Sequence, residues 1–211
     1  MNSKKIISVL LVVALVMSIF ALTSCKKEED VLTVYTNAEF PPFEYLSDNK
    51  PVGVDMQIAQ AIADELGMKL EIKNVKFDTI LTSISSGKGD LGIAGITVTP
   101  ERAESVNFSE NYITSTQYMV IKNDSEIKTI EDLAGLKIGV QLGTTGDFII
   151  SDEISGTEDE ETGEHVKGVL EGTGATVTQY NSAADAAVKA ADVELLGWKK
   201  VGSGLVAVFF T

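Results

Sequence analysis

L-G-I-A-G-I-T-V-T-P-E-R, residues 91–102, is the stretch whose reading decides the fold. Leu91 to Ile96 is a compact apolar run broken by Gly92 and Gly95, and it is predicted as a strand. Thr99-Pro100-Glu101 then gives a helix start: an N-capping threonine, a proline at the first helical position and an acid behind it. A strand that runs through a short polar loop straight into a helix is the repeating unit of an α/β sheet. It also places Arg102 in the first turn of that helix, where backbone N–H groups point outward.

The same pattern extends on both sides. Val31 to Tyr35 and Lys69 to Val75 alternate as strands do. Between them, Asp55 is expected to cap a helix with an apolar face of Ile58, Ala61, Ile62 and Leu66, stopped by Gly67. Asp78 opens a second helix over Ile80, Leu81 and Ile84, and Tyr118 to Ile121 is a further strand. The pattern then restarts. Thr129-Ile130-Glu131-Asp132 resembles a capping box, Lys137 to Val140 is a strand, and Asp147 to Ile150 begins a helix. Ser151 to His165 is acidic and is read as a solvated loop; Ala175 to Gln179 is a strand and Ser182 to Ala191 a helix. The break near residues 122–128 divides the chain into two α/β lobes, 31–121 and 122–191, the second partial, with an atypical tail at 192–211.

Three loops stand at the carboxyl ends of these strands, where open α/β sheets bind ligands: T-N-A-E-F-P-P-F (36–43), G-I-T-V-T-P-E-R (95–102) and Q-L-G-T-T-G-D (141–147). A guanidinium grips a carboxylate by two parallel hydrogen bonds, so Arg102 suits a small carboxylate; it could equally be a surface arginine paired with Glu101 or Glu104. Thr97 adds a hydroxyl, and Gly95 lets a backbone carbonyl approach an amine. In the third loop, N–H groups at a helix start with Thr144 and Thr145 form an anion site, or simply a strand-to-helix turn. Phe40, Phe43 and Phe77 are candidates for the walls of a pocket, and also ordinary core residues.

The amino terminus reads differently. Lys4 and Lys5 precede an apolar run from Ile6 to Leu22, which ends in Leu22-Thr23-Ser24-Cys25. This is the arrangement of a secretory signal peptide, 1–24, followed at once by a cysteine for lipidation, with 25–30 as a lipidated tether. The chain carries 17 basic and 31 acidic residues, a net charge of −14, which opposes binding to nucleic acid or anionic lipid. One cysteine and one histidine exclude a disulfide within the chain and a Cys/His zinc site, and no metal or cofactor is expected.

Taken together, T-N-A-E-F-P-P-F-E-Y, G-V-D-M-Q-I-A-Q-A-I-A-D-E-L-G, A-G-I-T-V-T-P-E-R-A-E-S-V-N-F-S and G-V-Q-L-G-T-T-G-D resemble the bacterial solute-binding proteins of family 3. These are the polar-amino-acid receptors of ABC importers, and the likeness runs from about Leu32 to about Ala187 in the family's order. The resemblance implies a two-lobed periplasmic-binding-protein-like α/β fold with a central ligand cleft. Within it, Arg102 and Thr97 would hold the α-carboxylate and α-amine, with the Gly95 carbonyl also on the amine. Phe40 and Phe77 would line the side-chain pocket, Thr144 and Thr145 would close on the carboxylate near Gln141, and Asn37 and Glu39 would face the ligand side chain.

The resemblance further implies a monomer that binds a polar L-amino acid outside the cytoplasm without chemistry on it. Its partners would be an ABC permease and, through acyl chains on Cys25, the membrane. The departure lies in the tail: residues 192–211 match neither the family's second-lobe strand nor its return crossing, so the second lobe and return segment are expected to be incomplete. Rival readings are a same-fold dehydratase of cyclohexadienyl acids, an amino-acid sensor domain, and a chain that binds nothing.

Overall fold

A computed structural model describes residues 30–122, 124–191 and 207–210. The expected signal peptide, Cys25 and most of the tether and tail lie outside the described residues.

The first lobe is built on a parallel sheet of β1 (Val31–Thr36), β5 (Lys69–Asn74) and β6 (Leu91–Gly92), in the order β5-β1-β6. Alternation in β1 puts Leu32, Val34 and Thr36 inward, at 6%, 0% and 0% exposure. A small antiparallel sheet, β2 (Glu39–Phe40), β3 (Glu44–Ser47) and β4 (Lys50–Val52), follows β1 and leads into α1 (Val54–Leu66). Gly67 ends α1 in the left-handed conformation, as its position in the sequence predicts.

The buried face of α1 differs from the expected one. Met56, Ala59 and Ala63 pack with Leu32, Val34 and Ile93; Ile58 and Ile62 flank that cluster, while Ala61 is exposed and Leu66 is 59% exposed. Two alanines at this spacing bring the helix close to the sheet, so the small side chains and not the largest ones set the centre of the contact. Asp55 does not cap the helix either. It lies inside the first turn, fully buried.

A 3-10 turn (Phe77–Thr79) leads into α2 (Ile80–Ser85), whose Ile80 is fully buried. The helix start at Thr99 forms as the sequence predicts. In α3 (Pro100–Ala103), the Thr99 hydroxyl accepts from Arg102 N at 3.2 Å, with Pro100 at the first position.

The second lobe holds a sheet in the order β11-β8-β12-β7, made of β7 (Tyr118–Val120), β8 (Lys137–Gln141), β11 (Thr176–Tyr180) and β12 (Ala207–Phe210). Its core is a separate cluster: Leu133, Ile138, Val140, Ile150, Leu170 and Ala175. Burying side chains such as Leu133 and Ile138 stabilises the lobe by about 1.5–3 kcal/mol each. α4 (Thr145–Ser155) and α5 (Ala183–Ala191) follow β8 and β11.

Three expectations are corrected here. The strand at Tyr118–Val120, which the sequence places in the first lobe, pairs with β12 in the second sheet. The stretch 151–165 is not one loop. α4 runs to Ser155, and β9 (Thr157–Glu158) pairs antiparallel with β10 (His165–Val166). The tail, expected not to form the family's second-lobe strand, does contribute a strand to the second sheet: Ala207–Phe210 pairs parallel with β7 and antiparallel with β8. An apolar run of β-branched and aromatic residues is the composition that an unpaired strand edge recruits. Among the described residues the chain passes from the first sheet to the second once, between β6 and β7, and no described segment returns to the first lobe.

Candidate functional site

The three loops singled out in the sequence meet between the lobes, and side chains join them directly. Gln141 Nε2 donates to Asn37 Oδ1 at 3.0 Å, and Thr145 Oγ1 donates to Thr97 Oγ1 at 3.0 Å. Arg102 Nη2 donates to the Gly143 carbonyl at 2.8 Å, while its Nη1 donates to the Thr97 carbonyl at 2.7 Å. Asn37 is oriented for its part by donating Nδ2 to the Val75 carbonyl at 2.9 Å. The lobes are therefore held together by three polar contacts spread along the cleft.

Each contact is set up by local structure. The Thr144 hydroxyl caps α4 by accepting from Asp147 N at 3.3 Å, and donates to the Gln141 carbonyl at 2.8 Å. Asp147, 2% exposed, folds back on the loop: it accepts from Gly143 N at 2.9 Å and takes the Gln179 amide on both oxygens at 2.9 and 3.0 Å. This buried carboxylate fixes the direction of the Gly143 peptide, and so of the carbonyl that Arg102 uses. Arg102 is 7% exposed, and its guanidinium carbon sits 5.9 Å from the Phe77 ring centre and 5.3 Å from that of Phe148. Burial pulls its pKa below the usual guanidinium value, with Glu101 opposing the shift.

A cavity of about 60 Å³ opens in the cleft. Of the ten candidate ligand-binding residues, Asn37, Glu39, Phe40, Phe77, Gly95, Thr97, Gln141, Thr144 and Thr145 all line it. Arg102 does not. It lines a neighbouring cavity of about 270 Å³, with Phe77 as the wall common to both. The smaller volume is room for a handful of waters, so a ligand enters this cleft only as the lobes part.

Sequence reasoning missed Ser115 and Gln117 on the cavity wall, and the chain of groups behind Glu44, which also lines it. Gly95, at φ +55, gives its N–H to the Tyr112 hydroxyl at 3.1 Å, and that hydroxyl donates to Asp55 Oδ2 at 3.1 Å. Asp55 faces Glu44. Burial, and then the Asp55 charge, pushes the Glu44 carboxyl up to about 11. Burial raises Asp55 as well, against the hydrogen bonds from Glu44, Tyr112 and Gly95 that stabilise its charge; Tyr112 is raised by burial and then by Asp55. The pair thus shares one proton and carries one negative charge between its two carboxyls. Glu39 is raised by burial and held back by its hydrogen bond with Asn37. Among the described residues, no group of three or more metal-ligating side chains gathers.

Two α/β lobes whose strand-end loops meet over a polar cleft are the architecture of bilobal solute-binding proteins. The model of the bacterial extracellular solute-binding proteins, family 3, matches residues 32–200, and the chain belongs to that family. It is 37% identical over 132 residues to the arginine-binding extracellular protein ArtP of Bacillus subtilis (strain 168), covering 59% of this chain and 52% of that one. It is 32% identical over 164 residues to a probable histidine-binding protein of Neisseria gonorrhoeae, covering 72% of this chain and 60% of the relative. Among solved structures, an ancestral arginine-binding protein bound to arginine superposes with a TM-score of 0.61 at 36% identity, over 75% of this chain and 64% of that one. The chain therefore spans only about half to two thirds of the length of these proteins.

Proposed function

We propose that this chain binds a polar L-amino acid in the cleft between its lobes and presents it, outside the cytoplasm, to the permease of an ABC importer. The observation that carries this reading is the convergence of eight candidate residues from all three strand-end loops, joined by Phe77, on one cavity, with Asn37–Gln141 and Thr97–Thr145 bridging it. Thr97 and Thr145 offer hydroxyls to the carboxylate, Thr144, whose own hydroxyl is given to the Gln141 carbonyl, fixes the loop that presents Thr145, and the Gly95 carbonyl receives the α-amine. Arg102 contributes to the carboxylate once the lobes rearrange around the ligand. Binding works by lobe closure; the ligand leaves unchanged, and the protein acts as a monomer. The lobes divide between β6 and β7.

The test is a panel of L-amino acids in a thermal-shift assay. A ligand at about 100 times its Kd stabilises the folded state by roughly 2.7 kcal/mol, so a binder raises Tm by several degrees. A flat panel refutes the function. Turnover of a cyclohexadienyl acid would support the dehydratase reading instead.

Cys25 is proposed as the diacylated N-terminus of the mature protein, on the strength of Leu22-Thr23-Ser24-Cys25 after the apolar run. One acyl chain holds a protein at a membrane only marginally and two hold it stably. Cys25→Ala is therefore expected to release the protein from the membrane fraction or leave it unprocessed. Intact mass measurement that finds an unmodified Cys25 in membrane-bound protein would refute the assignment.

A further inference from the structure

We infer that Tyr112 is a positioning residue of the cleft: its hydroxyl, directed by Asp55, holds the Gly95 N–H and so fixes the glycine whose carbonyl receives the ligand α-amine. The inference rests on the amino-acid-binding function proposed above and adds to it a residue that stands outside the cavity.

The need for such a residue begins with Gly95. A glycine passes between positive and negative φ at little cost, and each passage swings its carbonyl. Gly95 stands at φ +55. The backbone before it is anchored in the sheet, where Ile93 N donates to the Tyr35 carbonyl at 2.9 Å. The backbone after it is anchored by Arg102, whose Nη1 donates to the Thr97 carbonyl at 2.7 Å. Ala94, Gly95 and Ile96 lie between these anchors, and within that stretch the Gly95 N–H donates to the Tyr112 hydroxyl at 3.1 Å. An aromatic ring closes the glycine on another side: a Cβ there would stand 3.3 Å from Phe40 Cε1.

The Tyr112 hydroxyl is a directed acceptor. A phenolic O–H has one hydrogen to give. That hydrogen goes to Asp55 Oδ2 at 3.1 Å, which leaves the oxygen lone pairs for Gly95. Asp55 is itself held, fully buried in the first turn of α1 and hydrogen-bonded to Glu44 on β3. A tyrosine that only pinned the segment between the lobes to α1 would need the bond to Asp55 alone. The second bond, from Gly95, connects it to the cavity wall.

The tie runs behind the cavity. Gly95 and Glu44 line it, whereas Tyr112 and Asp55 do not. The series Gly95, Tyr112, Asp55, Glu44 therefore joins the loop after β6 to the β2–β3 hairpin from the back and leaves the space in front for a ligand. A loop fixed beforehand spares a ligand the entropy of ordering it. That advantage goes to a ligand with an α-amine, which uses the Gly95 carbonyl. An acid of the same shape without the amine does not use that carbonyl and is indifferent to how it is held.

The test turns on that difference. Tyr112→Phe deletes the hydroxyl and keeps the ring, and because Tyr112 is 45% exposed the change opens no void in the core. The probes are L-arginine and L-glutamine, each paired with the acid that lacks its α-amine, 5-guanidinopentanoate and 4-carbamoylbutanoate. If another L-amino acid of the thermal-shift panel binds the protein more tightly, it and its desamino acid take their place. Affinities come from isothermal titration calorimetry, by displacement for the weaker member of each pair. In Tyr112→Phe the ratio of amino-acid to desamino-acid affinity is expected to fall about tenfold, with the desamino acid within about twofold of its parent value. If Tyr112 serves only the stability of the fold, both members weaken by the same factor. An unchanged ratio therefore overturns the inference and leaves the amino-acid-binding function standing. Amide hydrogen exchange gives a second reading that needs no ligand. The Gly95 amide is expected to exchange at least about tenfold more slowly than in an unstructured peptide, and to lose that protection in Tyr112→Phe. A Gly95 amide that exchanges freely in the unsubstituted protein overturns the inference without any variant. A panel in which no L-amino acid binds overturns the proposed function and this inference with it.

Discussion

Arg102→Ala is expected to weaken amino-acid binding by about 2–5 kcal/mol, a loss of roughly 30- to several-thousand-fold in Kd. The side chain does two things at once. It ties the lobes through the Gly143 carbonyl at 2.8 Å while anchored to the Thr97 carbonyl at 2.7 Å, and it stands between the rings of Phe77 and Phe148. Two of its N–H donors are engaged by carbonyls, which leaves others for a ligand carboxylate. Alanine removes the bridge, the stacking and the charge together. It also leaves the Gly143 carbonyl in a cleft where the peptide has already been fixed by Asp147.

Arg102→Lys is not expected to restore binding. One ammonium cannot span the carbonyls of Thr97 and Gly143 and still fork a carboxylate. Calorimetry with the tightest ligand of the panel checks both variants. Parent-like affinity in Arg102→Ala would mean that the guanidinium is only a structural filler of the neighbouring cavity it lines.

The parts of the site that are legible in the sequence are those set by local chemistry. Thr99 before Pro100 announces a helix start within four residues, so Arg102 can be placed before any tertiary contact is known. Thr144 and Asp147 behave in the same way at the start of α4. What is not legible depends on partners far along the chain. Asp55 reads as a cap from its neighbours, but its environment is Glu44 on β3 and Tyr112, 57 residues away. Tyr112 carries no signal at all, since its role exists only where Gly95 and Asp55 are brought together.

The same holds for sheet membership. The strand character of Tyr118–Val120 is local, whereas its pairing with Ala207–Phe210 depends on a segment nearly ninety residues later. The face of α1 is not given by periodicity, which ranks residues by hydrophobicity, because close packing at Ala59 and Ala63 rewards small size instead.

Gly53→Ala is expected to destabilise the protein by about 3–5 kcal/mol, a fall in Tm of roughly 10 °C or more, and to abolish ligand binding along with it. Gly53 has φ +125 and ψ −172, a region that L side chains rarely adopt. A Cβ there would lie 2.2 Å from the Phe43 carbonyl oxygen and 2.7 Å from that of Pro42. Those atoms cannot give way, because they are hydrogen-bonded to the start of α1: Val54 N donates to the Pro42 carbonyl at 3.1 Å and Asp55 N to the Phe43 carbonyl at 2.9 Å. The substitution must therefore push the 41–43 turn off the helix. That turn connects Glu39 and Phe40 to Glu44, so its displacement moves one whole wall of the cavity and breaks the contact between Glu44 and Asp55.

Gly67→Ala provides the comparison. Gly67 is also left-handed, at φ +66, but nothing lies within 4 Å of the added carbon. Only the backbone penalty of about 1–2 kcal/mol remains, and ligand binding should survive. Urea denaturation of the two variants separates steric displacement from backbone strain. A Gly53→Ala protein no less stable than Gly67→Ala, with parent-like affinity, would show that the hairpin does not depend on this close approach.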